Sequence, residues 1–83
     1  MGVVGNHKEP RKTILRHRRI LGDAIRVRRK KAKFTQEKLA EKADLNPKYL
    51  GEIERGEKII SIEALMRVAK AVKTPLREFF RGL

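Results

Sequence analysis

Residues 36–55 read QEKLAEKADLNPKYLGEIER, and this stretch decides the fold. Apolar residues recur at helical spacing on both sides of a three-residue break, at Leu39, Ala40 and Ala43 and then at Leu50 and Ile53. Two helices joined by so short a turn cross steeply, at about 90–120°. A steep crossing brings the two backbones close together, so the residue at the crossing must be small, and Ala40 meets that need. The stretch therefore predicts two short helices packed at a steep angle.

Helix boundary signals frame these two helices. Thr35 is a suitable N-cap for the first one, because its side-chain oxygen can accept a hydrogen bond from a backbone N–H of the first turn. Asn46-Pro47 begins the second helix, since Asn is a good cap and Pro suits a first helical position, and Gly56 ends it. Asp44 lies in the turn and is expected to take a positive φ. These signals predict where both helices begin and where the second one ends.

The same spacing predicts three further helices. The first helix of the chain begins at about Ile20 and fades by Lys33, which is expected to adopt a positive φ because no Gly or Asn closes it. Ser61 caps a fourth helix, and Thr74-Pro75 begins a fifth. Their apolar positions are Ile62, Leu65, Met66, Ala69 and Val72 in the fourth helix and Leu76, Phe79, Phe80 and Leu83 in the fifth. Because no segment alternates with period two for long, we expect an all-α, compact five-helix domain.

Charge is the strongest compositional feature. Lys and Arg total 22 against 10 Asp and Glu, which gives a net charge of +12. Residues 1–33 hold 12 basic and 2 acidic residues, a net of +10, whereas residues 34–83 hold 10 basic and 8 acidic residues, a net of +2. Such an excess predicts attraction to polyanions and favours nucleic acid as the partner, although ribosomal and membrane-surface proteins also carry basic tails.

The N-terminal segment is predicted to differ from the rest of the chain. Residues 1–17 contain Gly2, Gly5 and Pro10 and show no sustained period, which indicates a flexible basic arm ahead of a domain at residues 18–83. Two interpretations of the arm are open. It wraps the DNA or enters its minor groove, as basic arms do, or it is a solvated tail that adds only non-specific attraction.

Composition also excludes several classes of protein. With no Cys, the chain forms neither disulfides nor thiolate metal sites, and the lone His7 and His17 predict no metal site either. No apolar run approaches the roughly 18 residues of a membrane span, and the basic N-terminus lacks the apolar stretch of a secretory signal, so we expect a cytoplasmic protein. Neither a nucleophile–base motif nor a Gly-rich phosphate loop is present, and we expect no enzyme activity and no cofactor.

The sequence resembles the Cro/cI (XRE-like) family of helix-turn-helix DNA-binding proteins. The matching pieces are LGDAIRVRR in the first helix, TQEKLA in the second, YLGEIERG in the third and SIEALMRVAKAV in the fourth. The resemblance covers about residues 20–80 and departs from the family at Asp44, where Gly is usual, and at Lys33, where Gly or Asn is usual. It implies a lambda-repressor-like domain whose third helix, at residues 46–55, enters the major groove of double-stranded DNA.

The resemblance also implies roles for single residues. Gln36 would contact a phosphate and brace a base-reading side chain, Tyr49 would reach the DNA backbone or a thymine methyl, and Arg55 would contact phosphate. The positions that face base edges are Asn46, Pro47, Lys48 and Glu52. The complete set of candidate DNA contacts is Gln36, Asn46, Pro47, Lys48, Tyr49, Glu52, Arg55, Lys58, Arg29 and Thr35.

The chemistry of the third helix agrees with these roles. Lys48 can donate to guanine O6 and N7, and Glu52 can accept from cytosine N4, while Gly51 would let the helix lie close to the DNA. Phosphate contacts, which position a protein without specifying a sequence, would come from Arg26, Arg29, Lys30 and Lys58.

Alternatives stay open for two of these side chains. Tyr49 packs against the domain in the alternative interpretation. Glu52 pairs with Arg55 or Lys48 and is then an ordinary solvated helix charge.

We therefore predict a sequence-specific transcriptional regulator. Palindromic operators are read by two-fold dimers, which predicts a homodimer that uses the fifth helix and nearby apolar residues. Two alternatives are a restriction–modification controller or phage-type repressor, and an antitoxin that neutralises a toxin and binds its own promoter. A protein partner would be that toxin, or the RNA polymerase that the bound regulator excludes or recruits.

Overall fold

The computed structural model describes residues 10–83, and all regular secondary structure in this part of the chain is helical. The elements are α1 (Pro10–Lys31), α2 (Gln36–Ala43), α3 (Pro47–Glu54), α4 (Ile62–Ala71) and a closing 3-10 helix (Leu76–Phe80). The prediction of five α-helices is therefore wrong in its last element. That element has only five residues and no side-chain cap, and Gly82 then turns the chain at a φ of 87°.

The first helix is also longer than the sequence pattern indicated. It begins at Pro10, not near Ile20. Pro suits the first turn of a helix because its missing N–H would be unpaired there. Residues 10–17 of the predicted arm are thus helical, and the predicted boundary between residues 17 and 18 falls inside α1. The rest of that arm, residues 1–9, lies outside the described residues.

The predicted caps of α2, α3 and α4 are confirmed, but Thr74 does not cap the last element, since its hydroxyl donates to the Val72 carbonyl oxygen at 3.0 Å. Thr35, Asn46 and Ser61 each accept a hydrogen bond from a backbone N–H two or three residues further on, at 3.0, 2.7 and 3.1 Å. Lys33 and Asp44 adopt positive φ values of 64° and 55°, as predicted. The loop before α2 and the turn between α2 and α3 therefore form as the sequence indicates, without the Gly that would make those conformations easiest.

A mostly aliphatic core holds α3 from behind. Its buried residues are Leu21, Ile25, Leu39, Ala40, Ala43, Leu50, Ile53, Ile60, Ala64, Leu65, Val68, Ala69 and Phe79. The helices α1 and α3 approach so closely that a Cβ on Gly22 would collide with the Ile53 carbonyl oxygen. With α1 and α2 packed against one side of α3, its opposite side is left to solvent.

Candidate nucleic-acid interface

The two sides of α3 have different surroundings. Leu50, Ile53 and Glu54 are buried on the inner side, whereas Asn46, Pro47 and Lys48 are exposed at the start of the helix. Ile53 and Glu54 follow Leu50 by three and four residues and therefore share its face, whereas Asn46 and Pro47 stand at the end of the helix. The structure thus leaves the first turn of α3 accessible, which is the geometry a groove-reading helix needs.

Lys48 lies at the edge of a shallow depression on this exposed side. The depression is lined by Asn46, Lys48, Tyr49, Glu52 and Lys58. The Asn46 side chain is occupied in capping α3, since its Oδ1 accepts the Lys48 backbone N–H at 2.7 Å. Within residues 10–83 the Lys48 ammonium group has neither an ion-pair nor a hydrogen-bond partner. Among the predicted base-facing side chains, the Lys48 ammonium group is therefore the one that is free to donate hydrogen bonds to a base.

Glu52 is already paired. Its Oε1 lies 3.2 Å from the Lys58 ammonium, and its side chain is only 18 % exposed. The alternative of a solvated helix charge predicts Arg55 or Lys48 as the partner of Glu52, and the structure shows Lys58 instead. A contact between Glu52 and cytosine would therefore have to compete with Lys58, and a phosphate contact by Lys58 would have to compete with Glu52.

The Tyr49 side chain packs against the core rather than projecting from it. It is half-buried, and its hydroxyl accepts a hydrogen bond from the backbone N–H of Ser61 at 3.1 Å. This contact ties α3 to the start of α4. The geometry favours the packing interpretation of Tyr49 over a DNA contact.

A buried hydrogen-bonded group, the Glu54 cluster, lies on the inner side of α3. The Glu54 carboxylate receives Arg29 Nε at 2.8 Å, Arg29 Nη2 at 3.0 Å and Gln36 Nε2 at 3.0 Å. The side chains of Glu54 and Arg29 are only 2 % and 11 % exposed, and Arg29 Nη1 also donates to the Phe34 carbonyl oxygen at 2.9 Å. Such a fork of donors suits a carboxylate. Arg29 is thus committed to the fold, and its predicted role as a phosphate contact is corrected.

Gln36 is the point where this cluster reaches the surface. Glu54 holds its Nε2, and its Oε1 lies over Gly51, 3.5 Å from where a Cβ on that residue would stand. Gly51 itself is buried beneath Gln36 and Arg55. The absence of a side chain at residue 51 therefore makes room for these two side chains, and the close approach of α3 to DNA at Gly51 stays a prediction.

Arg55 is exposed but paired. Its Nε and Nη2 donate to the two carboxylate oxygens of Glu57 at 2.8 and 3.2 Å. The hydrogen bond from Arg55 lowers the pKa of Glu57 below its ordinary value, and the same bond raises the pKa of Arg55. Arg55 can therefore reach a phosphate only by exchanging Glu57 for it.

Sequence reasoning placed neither Glu54 nor Glu57 in the site. Glu54 follows the buried Leu50 by four residues, so helical spacing already indicated its inner face. Its partner Arg29 lies 25 residues away, and no local pattern identifies so distant a contact. The described residues 10–83 bring no group of three His, Asp or Glu together in a metal-binding arrangement, and no helix among them is long and apolar enough to cross a membrane.

Comparisons with known proteins agree with this geometry. A family model described as "Helix-turn-helix" matches residues 25–79. Control protein C.BamHI from Bacillus amyloliquefaciens is 36% identical over 56 residues, which cover 66% of this chain and 69% of that protein.

Two solved structures share the fold. The clp gene regulator ClgR from Corynebacterium glutamicum is 36% identical with a TM-score of 0.74, over 77% of this chain and 68% of that one. The restriction-modification controller protein C.AhdI from Aeromonas hydrophila is 30% identical with a TM-score of 0.73, over 76% of this chain and 96% of that one.

Proposed function

We propose, from the premise that this chain belongs to the XRE-type helix-turn-helix family, that it is a transcriptional regulator which binds double-stranded DNA through α3. The observation that carries the mechanism is the division of α3 into a fixed inner side and an accessible first turn. A helix fits the major groove, where each base pair presents a distinct pattern of donors and acceptors. The exposed turn with Asn46, Pro47 and Lys48 is the part of α3 that would read those patterns.

In this mechanism the remaining polar residues hold the helix in register. Gln36, held by Glu54, and Thr35 at the start of α2 would face phosphates beside the groove. Arg55 and Lys58 would contact phosphates by exchanging their present carboxylate partners, Glu57 and Glu52, for DNA. Such contacts fix the position of a protein on DNA without reading sequence.

The test is a selection of bound duplexes from a random pool, followed by binding measurements on the recovered site. Lys48→Ala should weaken binding to that site by about 1–3 kcal/mol more than binding to random duplex, if Lys48 reads a base. Lys73→Ala, which removes the same charge just after the end of α4, is the matched control and should show no such difference. An equal loss on both duplexes would make Lys48 a phosphate contact, and a selection without a preferred sequence would overturn the proposal.

A restriction–modification controller is the more specific candidate, because one similar protein is named a restriction-modification controller protein and another a control protein. A controller of this kind would bind DNA upstream of its own gene. Footprinting of that DNA tests the candidate, since protection of the chain's own promoter supports it and protection only at unrelated promoters contradicts it. The antitoxin alternative and a toxin or polymerase partner stay predictions.

A homodimer completes the mechanism, because one domain reads only one half-site. Phe79 is fully buried in the core, so it is not available to the predicted surface on the last element, although Phe80 and Leu83 stay exposed. A larger apolar surface lies around α4, where Ile59, Ile62 and Met66 are 50–59% exposed.

The charges of α4 support this surface as the contact with a second copy. Glu63 lies near the start of α4 and Lys70 near its end, so antiparallel pairing about a two-fold axis brings opposite charges together. Ile62→Glu with Met66→Glu should then give a monomer in analytical ultracentrifugation, whereas Leu83→Glu should not. If Leu83→Glu gives the monomer and the double variant of α4 stays dimeric, the interface lies on the C-terminal element instead.

A further inference from the structure

One exposed face of α1 carries a line of basic residues. Arg16, Arg19, Arg26 and Lys30 follow one another at i, i+3, i+10 and i+14, and all four are exposed. These four residues are called the cationic stripe here. With a rise of 1.5 Å per residue it is about 21 Å long. The stripe exists as a rigid feature only because α1 begins at Pro10, more than a turn before Arg16.

Folding does not use most of this charge. Arg26 pairs with Asp23 at 3.0 Å, in the gap of the stripe. In the part of the chain that the structure describes, the side chains of Arg16, Arg19 and Lys30 have no hydrogen-bond or ion-pair partner. The arginines on another face of the same helix behave differently, since Arg29 is committed to Glu54. Three cations on one helical face are thus available to an external anion.

The stripe is fixed next to the end of α3. The Arg19 backbone and Cβ lie 3.3–3.6 Å from where a Cβ on Gly56 would stand. The neighbouring Arg18 donates through Nη1 to the Glu57 carbonyl oxygen at 3.5 Å. Direct contacts therefore hold this part of α1 against the end of α3.

We propose that the cationic stripe is a second DNA-binding surface, which binds backbone phosphates beyond the bases read by α3. The proposal rests on the proposed function, because it assigns the stripe to the same DNA. Double-stranded DNA carries one negative charge per about 1.7 Å of axis, so a stripe of this length can meet several phosphates. Arg forms bidentate bonds with phosphate oxygens. The stripe contains no apolar side chain, whereas protein interfaces depend on apolar or aromatic anchors, so DNA fits it better than an acidic protein.

The experiment compares two charge-matched triple variants of the whole chain. The first, Arg16→Gln/Arg19→Gln/Lys30→Gln, removes the three unpaired cations of the stripe. The second, Lys42→Gln/Lys73→Gln/Arg77→Gln, removes three exposed cations that lie outside α1 and α3. Binding to the selected site and to random duplex is measured from 50 to 300 mM salt (a range chosen to resolve the slope), and thermal unfolding confirms that both variants fold.

The stripe variant should flatten the plot of log affinity against log salt by about 2.7, since each lost phosphate contact contributes about 0.9 to the slope. It should weaken selected and random duplexes by the same factor, because phosphates carry no sequence. The control should leave the slope near that of the wild type. Equal flattening by both variants would reduce the effect to net charge and overturn the proposal, as would an unchanged slope.

These outcomes are distinct from those of the proposed function. If the unmodified chain shows no preferred DNA sequence, sequence-specific regulation by α3 is overturned. The two triple variants would still differ in the slope of log affinity against log salt. A stripe variant with an unchanged slope but a preserved preferred sequence would overturn only the stripe.

Discussion

Glu52 and Glu54 are two residues apart on α3, and their surroundings differ completely. Glu54 is on the inner side, where its side chain is 2 % exposed and three nitrogen atoms from Arg29 and Gln36 surround it. Glu52 is on the outer side, where a single contact joins it to Lys58, whose own side chain is 56% exposed. An Arg fork is rigid and weakly hydrated, whereas a Lys ammonium is a mobile, strongly hydrated point charge. The inner charge therefore fixes the fold, and the outer charge can be exchanged for a ligand.

Removal of each carboxylate should separate these two roles most clearly. Glu54→Ala leaves the buried Arg29 guanidinium without its partner, and losses of about 3–5 kcal/mol are typical when one member of a buried pair is removed. Glu52→Ala opens an ion pair with a largely exposed partner, which contributes about 0–1 kcal/mol. Urea unfolding followed by circular dichroism measures both changes. Equal losses for the two variants would contradict the division of α3 into inner and outer sides.

The second test compares Gly22, where α1 contacts α3, with Gly51, which lies on α3 beneath Gln36 and Arg55. Gly22→Ala places a methyl group against the Ile53 carbonyl oxygen and should cost about 1–3 kcal/mol, as overpacking does. Gly51→Ala meets first the end of the Arg55 side chain, at 3.2 Å, and that side chain can move. Thermal unfolding measures the loss of stability in each variant, and the loss should be larger for Gly22→Ala. If Gly51→Ala is the more damaging, α3 is fixed from the outside rather than by α1.

The sequence indicated the local features of this comparison. Thr35, Asn46 and Pro47 mark the starts of α2 and α3 because capping depends on residues within the same turn. Asp44 takes its positive φ as the left-handed residue that closes α2, where the N–H groups of Asp44 and Leu45 donate back to carbonyl oxygens of that helix. Local signals of this kind are complete within a few residues, so they can be predicted from one sequence.

The features that the sequence did not indicate depend on distant contacts or on their absence. The first turns of α1 have no core beneath them, so apolar periodicity begins only near Ile20 even though the helix begins at Pro10. The ion pair between Arg29 and Glu54 joins residues from α1 and α3, and the pairing of Glu52 with Lys58 depends on the path of the loop after α3. Side-chain partners of this kind follow from the tertiary arrangement and not from spacing along the chain.

Tyr49 lies between the two sides of α3 and gives a smaller test. Tyr49→Phe removes the acceptor of the Ser61 backbone N–H but keeps the ring against the core. A lost hydrogen bond of this type costs about 0.5–1.5 kcal/mol, and urea unfolding should show a loss in that range. Affinity for the selected duplex should stay unchanged. A stable variant with weakened DNA binding would instead make Tyr49 a DNA contact.

The smallest effect on stability is expected at Glu57, where the outer charges can be changed without disturbing the fold. Glu57→Gln removes the carboxylate that holds Arg55, so the freed guanidinium should steepen the salt dependence of DNA binding by up to about 0.9, with no change in unfolding. Glu41→Gln removes the same charge from α2, next to Lys38, and is the control. Equal steepening by both variants would indicate an effect of net charge alone. The pKa of Glu57 is lowered by its hydrogen bond from Arg55, so the carboxylate is ionised and holds Arg55 throughout the neutral range. Glu57 releases Arg55 only as the pH falls through that lowered pKa. The difference in salt dependence between the wild type and Glu57→Gln should therefore be complete at pH 7, and it should persist at pH values just below the ordinary pKa of a glutamate.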